Sequence, residues 1–372
     1  MEGVIIVGGG LSGLGCAKRL KERGINFKLI TEDVGGRVRT SPDGTVNYGA
    51  YYITADCKNM LSYASRLRAM RFWDFHFHAG ARHYHFGLGA MFRHAPALLR
   101  LAFDLIKFRR RFVAMRRRAK DFSRQELIEG DPLLKKYYHQ QAGEYIKEKR
   151  LENVVKEYFE SVLWASFFED PRKVPTFVLL QCLLPMIIPT YSFVLDFGKI
   201  TESFKDDIIL DSIVSIRREN DVIKLASKNG KIYECKKLVL ATPMTITNQL
   251  IRPQKIKGGI EISFLHLRGQ IKKTYDLSGY NFFPSSAQAA IAREADGSYL
   301  YFYKGENRVN DYFERVDQII TAKKWEPALI LLGDVYINLN PEPGIYLAND
   351  HDVASTEDAF LNGIYIAKKL LT

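Results

Sequence analysis

An α/β fold is predicted for this 372-residue chain by three features: a strand, glycine turn and helix at its start, three strand-like runs within 208–240, and a strand–loop–helix pattern near its end. The length allows two or more cores, and a hydrophobic content of 47% suits a globular protein. Aromatic residues are plentiful, with 20 Tyr and 23 Phe, which fits an apolar pocket or simply a Phe-rich core.

Val4-Ile5-Ile6-Val7 is a short apolar run of buried-strand type. It leads into Gly8-Gly9-Gly10-Leu11-Ser12-Gly13, which matches G-x-G-x-x-G. Leu14, Ala17, Leu20 and Lys21 then follow at helical spacing, and Gly24 ends the pattern. A second strand, Phe27 to Ile30, runs into Thr31-Glu32. This is the βαβ setting in which the motif signals dinucleotide binding. Gly8 permits the tight turn, Gly10 lets the backbone approach a pyrophosphate, and Gly13 lets helix and strand pack closely. The helix start at Leu11 and Ser12 presents unpaired N–H groups and a partial positive charge to phosphates. An acid at the end of the second strand would accept hydrogen bonds from ribose hydroxyls.

Ile208 to Ile216, Val222 to Ser227 and Lys231 to Leu240 read as three strands, with turn signals at Glu219-Asn220-Asp221 and Asn229-Gly230. Near the end, Gly344 to Asp350 reads as a strand and turn, followed by Ser355-Thr356-Glu357-Asp358 and a helix. Ser355 or Thr356 could cap that helix.

Downstream of the acid come Val34-Gly35-Gly36-Arg37-Val38-Arg39-Thr40 and then Asn47-Tyr48-Gly49-Ala50-Tyr51-Tyr52-Ile53. With Leu238 to Pro243 and the closing strand–loop–helix, these segments resemble the flavin amine oxidase superfamily, which includes monoamine oxidases, protoporphyrinogen oxidases and phytoene desaturases. Four dispersed segments agree, in the same order. Ala322 to Ala328, with Trp325, is similar to a stretch that precedes the closing motif in the desaturase and protoporphyrinogen oxidase branch.

The resemblance implies FAD as cofactor, held by a discontinuous Rossmann-type domain from residues 1–70, 196–255 and 336–372. It implies an α+β substrate-binding domain from residues 71–195 and 256–335. Arg37, after Gly36, would lie against the FAD phosphates. Gly49 and Ala50 would let the backbone approach the isoalloxazine, with Tyr51 beside them, and Ile213 would offer its backbone to the adenine. Asp350 would contact the ribityl or pyrophosphate region, and the helix start at Thr356 would face the pyrimidine edge.

Three positions depart from the family pattern. The ribose-binding acid aligns by spacing with Thr31, and Glu32, one residue later, is preferred as the ligand. Asn47 stands where the family often has Asp, which removes a charge but keeps an acceptor. Asn349 replaces the usual Gly before Asp350, at a turn where Asn tolerates positive φ.

Cys16, Cys57, Cys182 and Cys235 are scattered, so neither a disulfide framework nor a thiolate metal site is expected, and a reducing, cytoplasmic setting is the default. No signal peptide is expected before the first strand. The apolar run Phe177 to Pro189 is too short to span a bilayer, which needs about 20 residues.

The net charge of +12 is compatible with nucleic acid, an anionic membrane or an acidic substrate. Ten basic residues and one acid, Asp104, fall within 93–120. Leu98, Leu101, Leu105, Phe108, Phe112 and Met115 repeat there at three and four, so one helical face is apolar. Such a helix can lie on an anionic membrane, or pack on the core with a solvated basic face. No nucleic-acid-binding module accompanies the charge. Phe75-His76-Phe77-His78 and His83-Tyr84-His85-Phe86 read as a hairpin with polar and aromatic faces. No carboxylate or cysteine joins these histidines in a motif, and no metal site is assigned. No catalytic side chain is assigned either; Lys304 could approach the flavin but reads more simply as a surface lysine.

The expected activity is an FAD-dependent dehydrogenase, desaturase or oxidase that removes hydride equivalents from a hydrophobic small molecule to flavin N5. A flavin-dependent isomerase or mutase, and a non-catalytic flavin-binding subunit, are the alternatives.

Overall fold

The computed structural model describes residues 2–79, 82–85, 92–275 and 279–371. The strand Glu2–Val7 is buried from Val4 onward and lies between Phe27–Thr31 and Ile232–Leu240, parallel to both. Ile208–Leu210 extends the sheet beyond Phe27–Thr31, and Ile345–Leu347 pairs with the end of Ile232–Leu240, again in parallel. A continuous apolar run such as Val4 to Val7 suits a strand covered on both faces. The antiparallel pair Ile213–Glu219 and Val222–Ser227 joins the first half of Ile232–Leu240. Gly230, at φ 76°, makes the turn that Asn229-Gly230 signals.

The helices Leu11–Glu22 and Thr356–Leu371 cross on this sheet with their backbones nearly touching. A Cβ at Gly363 would lie 1.9 Å from the Ser12 carbonyl oxygen, and one at Gly13 would lie 1.9 Å from that of Gly8. No larger residue fits either position.

The second sheet runs in the order Phe313–Leu332, Gly258–Ile271, Tyr299–Tyr303, Ala289–Arg293, Tyr280–Phe282, Phe75–Ala79, Arg82–Tyr84. Alternation along a strand divides its side chains between two cores. Leu300 and Phe302 join Phe77, Phe264, Phe282 and Trp325 on one face, while Tyr299 and Tyr301 join Leu267, Phe283 and Tyr312 on the other. The hairpin expected from 75–86 forms, with Phe77 opposite Tyr84 and His78 opposite His83. Phe86, the end of its second run, lies outside the described residues.

A helical unit covers the first face. Its longest member, Ala95–Arg118, starts with Pro96 in its first turn and buries Leu101, Leu105, Phe108, Phe112 and Met115 against Tyr138, Tyr145 and Phe177. The apolar face read from the sequence is therefore core, and it is not the face a membrane could meet. The outer side of the same helix carries a second stripe, Leu99, Phe103 and Ile106, at 72%, 59% and 59% exposure. Among the described residues, no helix is long and apolar enough to cross a membrane.

Candidate functional site: one cavity from the glycine turn to an apolar chamber

A cavity of about 1140 Å³ follows the carboxyl ends of the parallel strands and continues between the second sheet and the helices. Ligands in open α/β sheets bind outside those strand ends. Gly8, Gly10, Leu11 and Ser12 line one end, and Gly13 sits behind them in the helix. Gly8, at φ 111°, has the Ala241 carbonyl oxygen 2.6 Å from where a Cβ would be. Gly10 is different: a Cβ there would meet nothing within 4 Å. Its backbone is bare toward the cavity, as close approach of a phosphate requires. The first helical bond, Leu14 N–H to the Gly10 carbonyl at 2.9 Å, leaves the Leu11 and Ser12 N–H groups without intrahelical acceptors.

Thr31 and Glu32 do different things. The Thr31 hydroxyl accepts from the Gly9 N–H at 2.9 Å and donates to the Asp33 carbonyl at 2.7 Å. Thr31 is buried and committed to the glycine turn, whereas Glu32 is exposed at the cavity wall.

Gly36 and Arg37 line the next stretch. The Arg37 guanidinium donates to Asp350 Oδ1 at 2.6 Å and to the Ala328 carbonyl at 2.8 Å, so three distant parts of the chain meet beside the cavity. Ile213 borders it at a bulge in its strand, and Thr356 borders it at the start of the closing helix. Ser355 is the residue that caps that helix, accepting from the Asp358 N–H at 3.0 Å.

The departures have local explanations. Asn47 Nδ2 donates to the Ala50 carbonyl at 2.5 Å, a bond that an aspartate could not make. Gly49, at φ 99°, has the Arg37 carbonyl oxygen 2.0 Å from where a Cβ would be. Asn349 is not among the residues at positive φ, so the expected backbone reason for tolerating it does not apply. Its side chain closes the turn instead, accepting from the His351 N–H at 3.1 Å.

Beyond Gly49, Ala50 and Tyr51 the cavity becomes apolar, walled by Phe159, Val162, Ile187, Phe282, Phe302 and Trp325 among others. The helical lining was hardest to foresee, because an apolar run such as Phe177 to Pro189 looks the same whether it packs on protein or walls a cavity. Tyr51 brings a hydroxyl to this region and donates it to Glu294 at 2.6 Å. Burial pushes the Glu294 carboxyl up to about 7, against the opposing effect of the Tyr51 bond. Lys304 lies elsewhere, bonded to Glu169 at 3.0 Å and to the Phe168 carbonyl. The lysines on the cavity wall are Lys323 and Lys324.

The donor set fits a dinucleotide carrying a flat ring. Bare glycine backbone and a helix start suit phosphates, Glu32 suits a diol, and the bond-tethered Gly49-Ala50 backbone opens onto the larger chamber. Pockets for small ligands commonly span about 300–1,000 Å³, so this cavity has room for such a cofactor and part of a substrate.

Residues 6–67 match the family described as an NAD(P)-binding Rossmann-like domain. Cyclohexylamine oxidase from Brevibacterium oxydans superposes with a TM-score of 0.68 over 99% of this chain and 98% of its own, at 12% identity. Putrescine oxidase bound to putrescine gives 0.66 over 100% and 99%, at 13% identity. The chain has the fold of these amine oxidases. No curated protein sequence matches it. At this identity the likeness concerns architecture, and it agrees with the mixed α/β fold and the superfamily resemblance read from the sequence.

Proposed function

We propose that the protein is an FAD-dependent oxidoreductase acting on a hydrophobic small molecule. The observation that carries this reading is the continuity of the cavity, from the phosphate-type turn at Gly8 to Ser12 into the chamber walled by Phe282 and Phe302. Gly10, Leu11 and Ser12 would receive the pyrophosphate, Glu32 a ribose, and Ile213 the adenine edge. Arg37, fixed by Asp350, would balance phosphate charge, and the N-terminus of the Thr356–Leu371 helix would favour electron density on the ring's pyrimidine edge. When bound, FAD would supply the redox chemistry by accepting a hydride equivalent at N5.

The chain's part is positioning. The aromatic walls exclude water and orient an apolar substrate against the ring, which is most of what such a step asks of a protein. Tyr51 puts a hydroxyl on the cavity wall, held in place by Glu294.

Purified protein tests this directly. The visible bands of oxidised flavin are expected, bleaching under anaerobic addition of the right substrate and returning with an electron acceptor. Colourless protein that takes up no FAD on reconstitution defeats the reading. Turnover without consumption of an acceptor indicates an isomerase instead.

The same proposal extends to a surface. The exposed stripe Leu99, Phe103 and Ile106 is flanked by exposed Arg100, Lys107 and Arg110. Lys107 stands over the Phe103 ring at 4.1 Å. Apolar side chains ringed by cations complement an anionic lipid surface, which would also be a reservoir of hydrophobic substrate.

A further inference from the structure

The hairpin Phe75–Ala79 with Arg82–Tyr84 sorts its side chains cleanly. Phe77 and Tyr84 stack on each other, at 5.3 Å between ring centroids, and face the helical unit. Tyr84 also donates to the Glu157 carbonyl at 2.8 Å. Among the described residues the opposite face carries histidines: His76 and His78 from one strand, His83 from the other and His85 just beyond it. Continuing the pairing of Phe77 with Tyr84 puts His85 across from His76.

Three of these imidazoles converge. His76 Nδ1 and His83 Nε2 are 3.2 Å apart, and one nitrogen from each of His76, His83 and His85 lies within 4.8 Å of the others. The rings of His76 and His83 lie nearly parallel, 5.3 Å apart, and the His85 ring stands across both of them, 4.6 Å from each at 67° and 79°, so the three close a compact group rather than extend a column. His78 is excluded from the group, because its Nε2 bonds to Asn281 Oδ1 at 2.7 Å. None of the four lines the large cavity.

We propose that His76, His83 and His85 form a binding site for a divalent transition metal that favours imidazole, with zinc as its ion. Zinc–nitrogen bonds of about 2.0–2.1 Å in a tetrahedron put neighbouring nitrogens about 3.3 Å apart. The 3.2 Å between His76 and His83 already matches that edge. His85 is exposed, and its ligand nitrogen already lies within 4.8 Å of the other two. Three neutral imidazoles select zinc, cobalt, nickel or copper over magnesium and calcium, which require oxygen ligands. The fourth position is left to water.

The site's job is a clip. Among the described residues, Arg82–Tyr84 is the outermost strand of its sheet and pairs only with Phe75–Ala79. A metal bridging the two strands would hold Tyr84 in register against Glu157, on the helical segment that walls the cavity. A simple hydrogen bond between His76 and His83 would need neither His85 nor a metal.

The test uses full-length, tag-free protein treated with EDTA and dialysed. Calorimetric titration with zinc chloride is expected to show one ion per chain and a raised melting temperature, with no heat from magnesium chloride. His83→Ala and His85→Ala, at exposed positions, are each expected to weaken zinc binding at least tenfold with an unchanged far-ultraviolet circular dichroism spectrum. In the unaltered protein, zinc is expected to protect His83 and His85 from diethyl pyrocarbonate, read by peptide mass spectrometry. Absence of zinc binding, binding undiminished in both variants, or no protection of these two residues overturns the proposal. None of these readouts depends on FAD or on activity.

Discussion

Arg116 and Asp358 meet in the protein interior through two hydrogen bonds, 3.0 Å from Nε and 2.6 Å from Nη2 to the same carboxylate oxygen. A second buried guanidinium, Arg124, lies 3.3 Å from the other oxygen. The carboxylate belongs to the first turn of the closing helix, so the pair joins the basic helix to the segment that borders the cavity. Burial opposes the charge on Asp358, yet the two guanidiniums hold its carboxyl below the usual range. Asp358→Asn leaves two buried cations without their counter-charge and is expected to cost about 3–5 kcal/mol in a denaturant titration. A loss below about 1 kcal/mol, the worth of a surface pair, would show that the cluster is not carrying this load.

Thr31→Val and Glu32→Ala are expected to fail in different ways. Removing the Thr31 hydroxyl leaves the Gly9 N–H without its acceptor and should cost about 1–3 kcal/mol of stability. Glu32→Ala should leave stability unchanged and weaken FAD binding about tenfold, the worth of one charge-assisted hydrogen bond at about 1.4 kcal/mol. Equilibrium unfolding and FAD titration of the two variants separate these roles. Equal FAD affinity in Glu32→Ala and the unaltered protein would remove Glu32 from the site.

This pair also marks where the sequence was legible. The glycine turn, both flanking strands and the closing helix follow from local rules of turn geometry, periodicity and capping, so they could be read directly. Thr31 and Glu32 both border the cavity, and which of them spends its side chain on the glycine turn depends on how one hydroxyl folds back onto Gly9, which spacing does not encode. The basic helix exposes the same limit. Its strongest apolar periodicity belonged to the core, and the exposed stripe Leu99, Phe103 and Ile106 was hidden because two apolar stripes on one helix blur each other. Glu294 was invisible for a third reason: its burial comes from strands far apart in sequence.

Gly10→Ala and Gly13→Ala offer a matched contrast. The Gly10 Cβ would enter open cavity, whereas the Gly13 Cβ would lie 1.9 Å from a carbonyl oxygen. Gly10→Ala is expected to fold with near-native stability and lose FAD affinity by tenfold or more. Gly13→Ala should be destabilised by about 1–3 kcal/mol, the usual cost of overpacking, whether or not cofactor is present. Thermal melts of the FAD-free forms decide the matter, and a Gly10→Ala protein as unstable as Gly13→Ala would mean that its backbone does not face the cavity.

Glu294 sets a pH dependence. Its carboxyl holds a proton to about pH 7 in the folded chain, against an ordinary value of 4.5. Between those values the folded state binds the extra proton, so stability falls as pH rises through this window. The cost is absent below about 4.5 and fully developed above about 7, amounting to about 3 kcal/mol. Glu294→Gln keeps an acceptor for Tyr51 and removes the titration. The difference in stability between this variant and the parent is expected to widen from pH 5 to pH 8; a constant difference would place Glu294 in contact with water.

The exposed stripe on the basic helix predicts a lipid preference with two separable parts. Burying Leu99, Phe103 and Ile106 contributes at most about 1.5–3 kcal/mol each, and each nearby cation about 1 kcal/mol on an anionic surface. Neither part anchors the protein alone, so binding should need both. The protein is expected to co-sediment with vesicles containing phosphatidylserine and not with purely zwitterionic ones. Raised salt should release it, because exposed charges are screened within about 10 Å at 0.1 M. Leu99→Ser, Phe103→Ser and Ile106→Ser combined should abolish binding without lowering stability, since these side chains are outside the core. Retention of that triple variant on anionic vesicles would assign the interaction to charge alone, and indifference of the parent protein to phosphatidylserine would remove the membrane from the account of this helix.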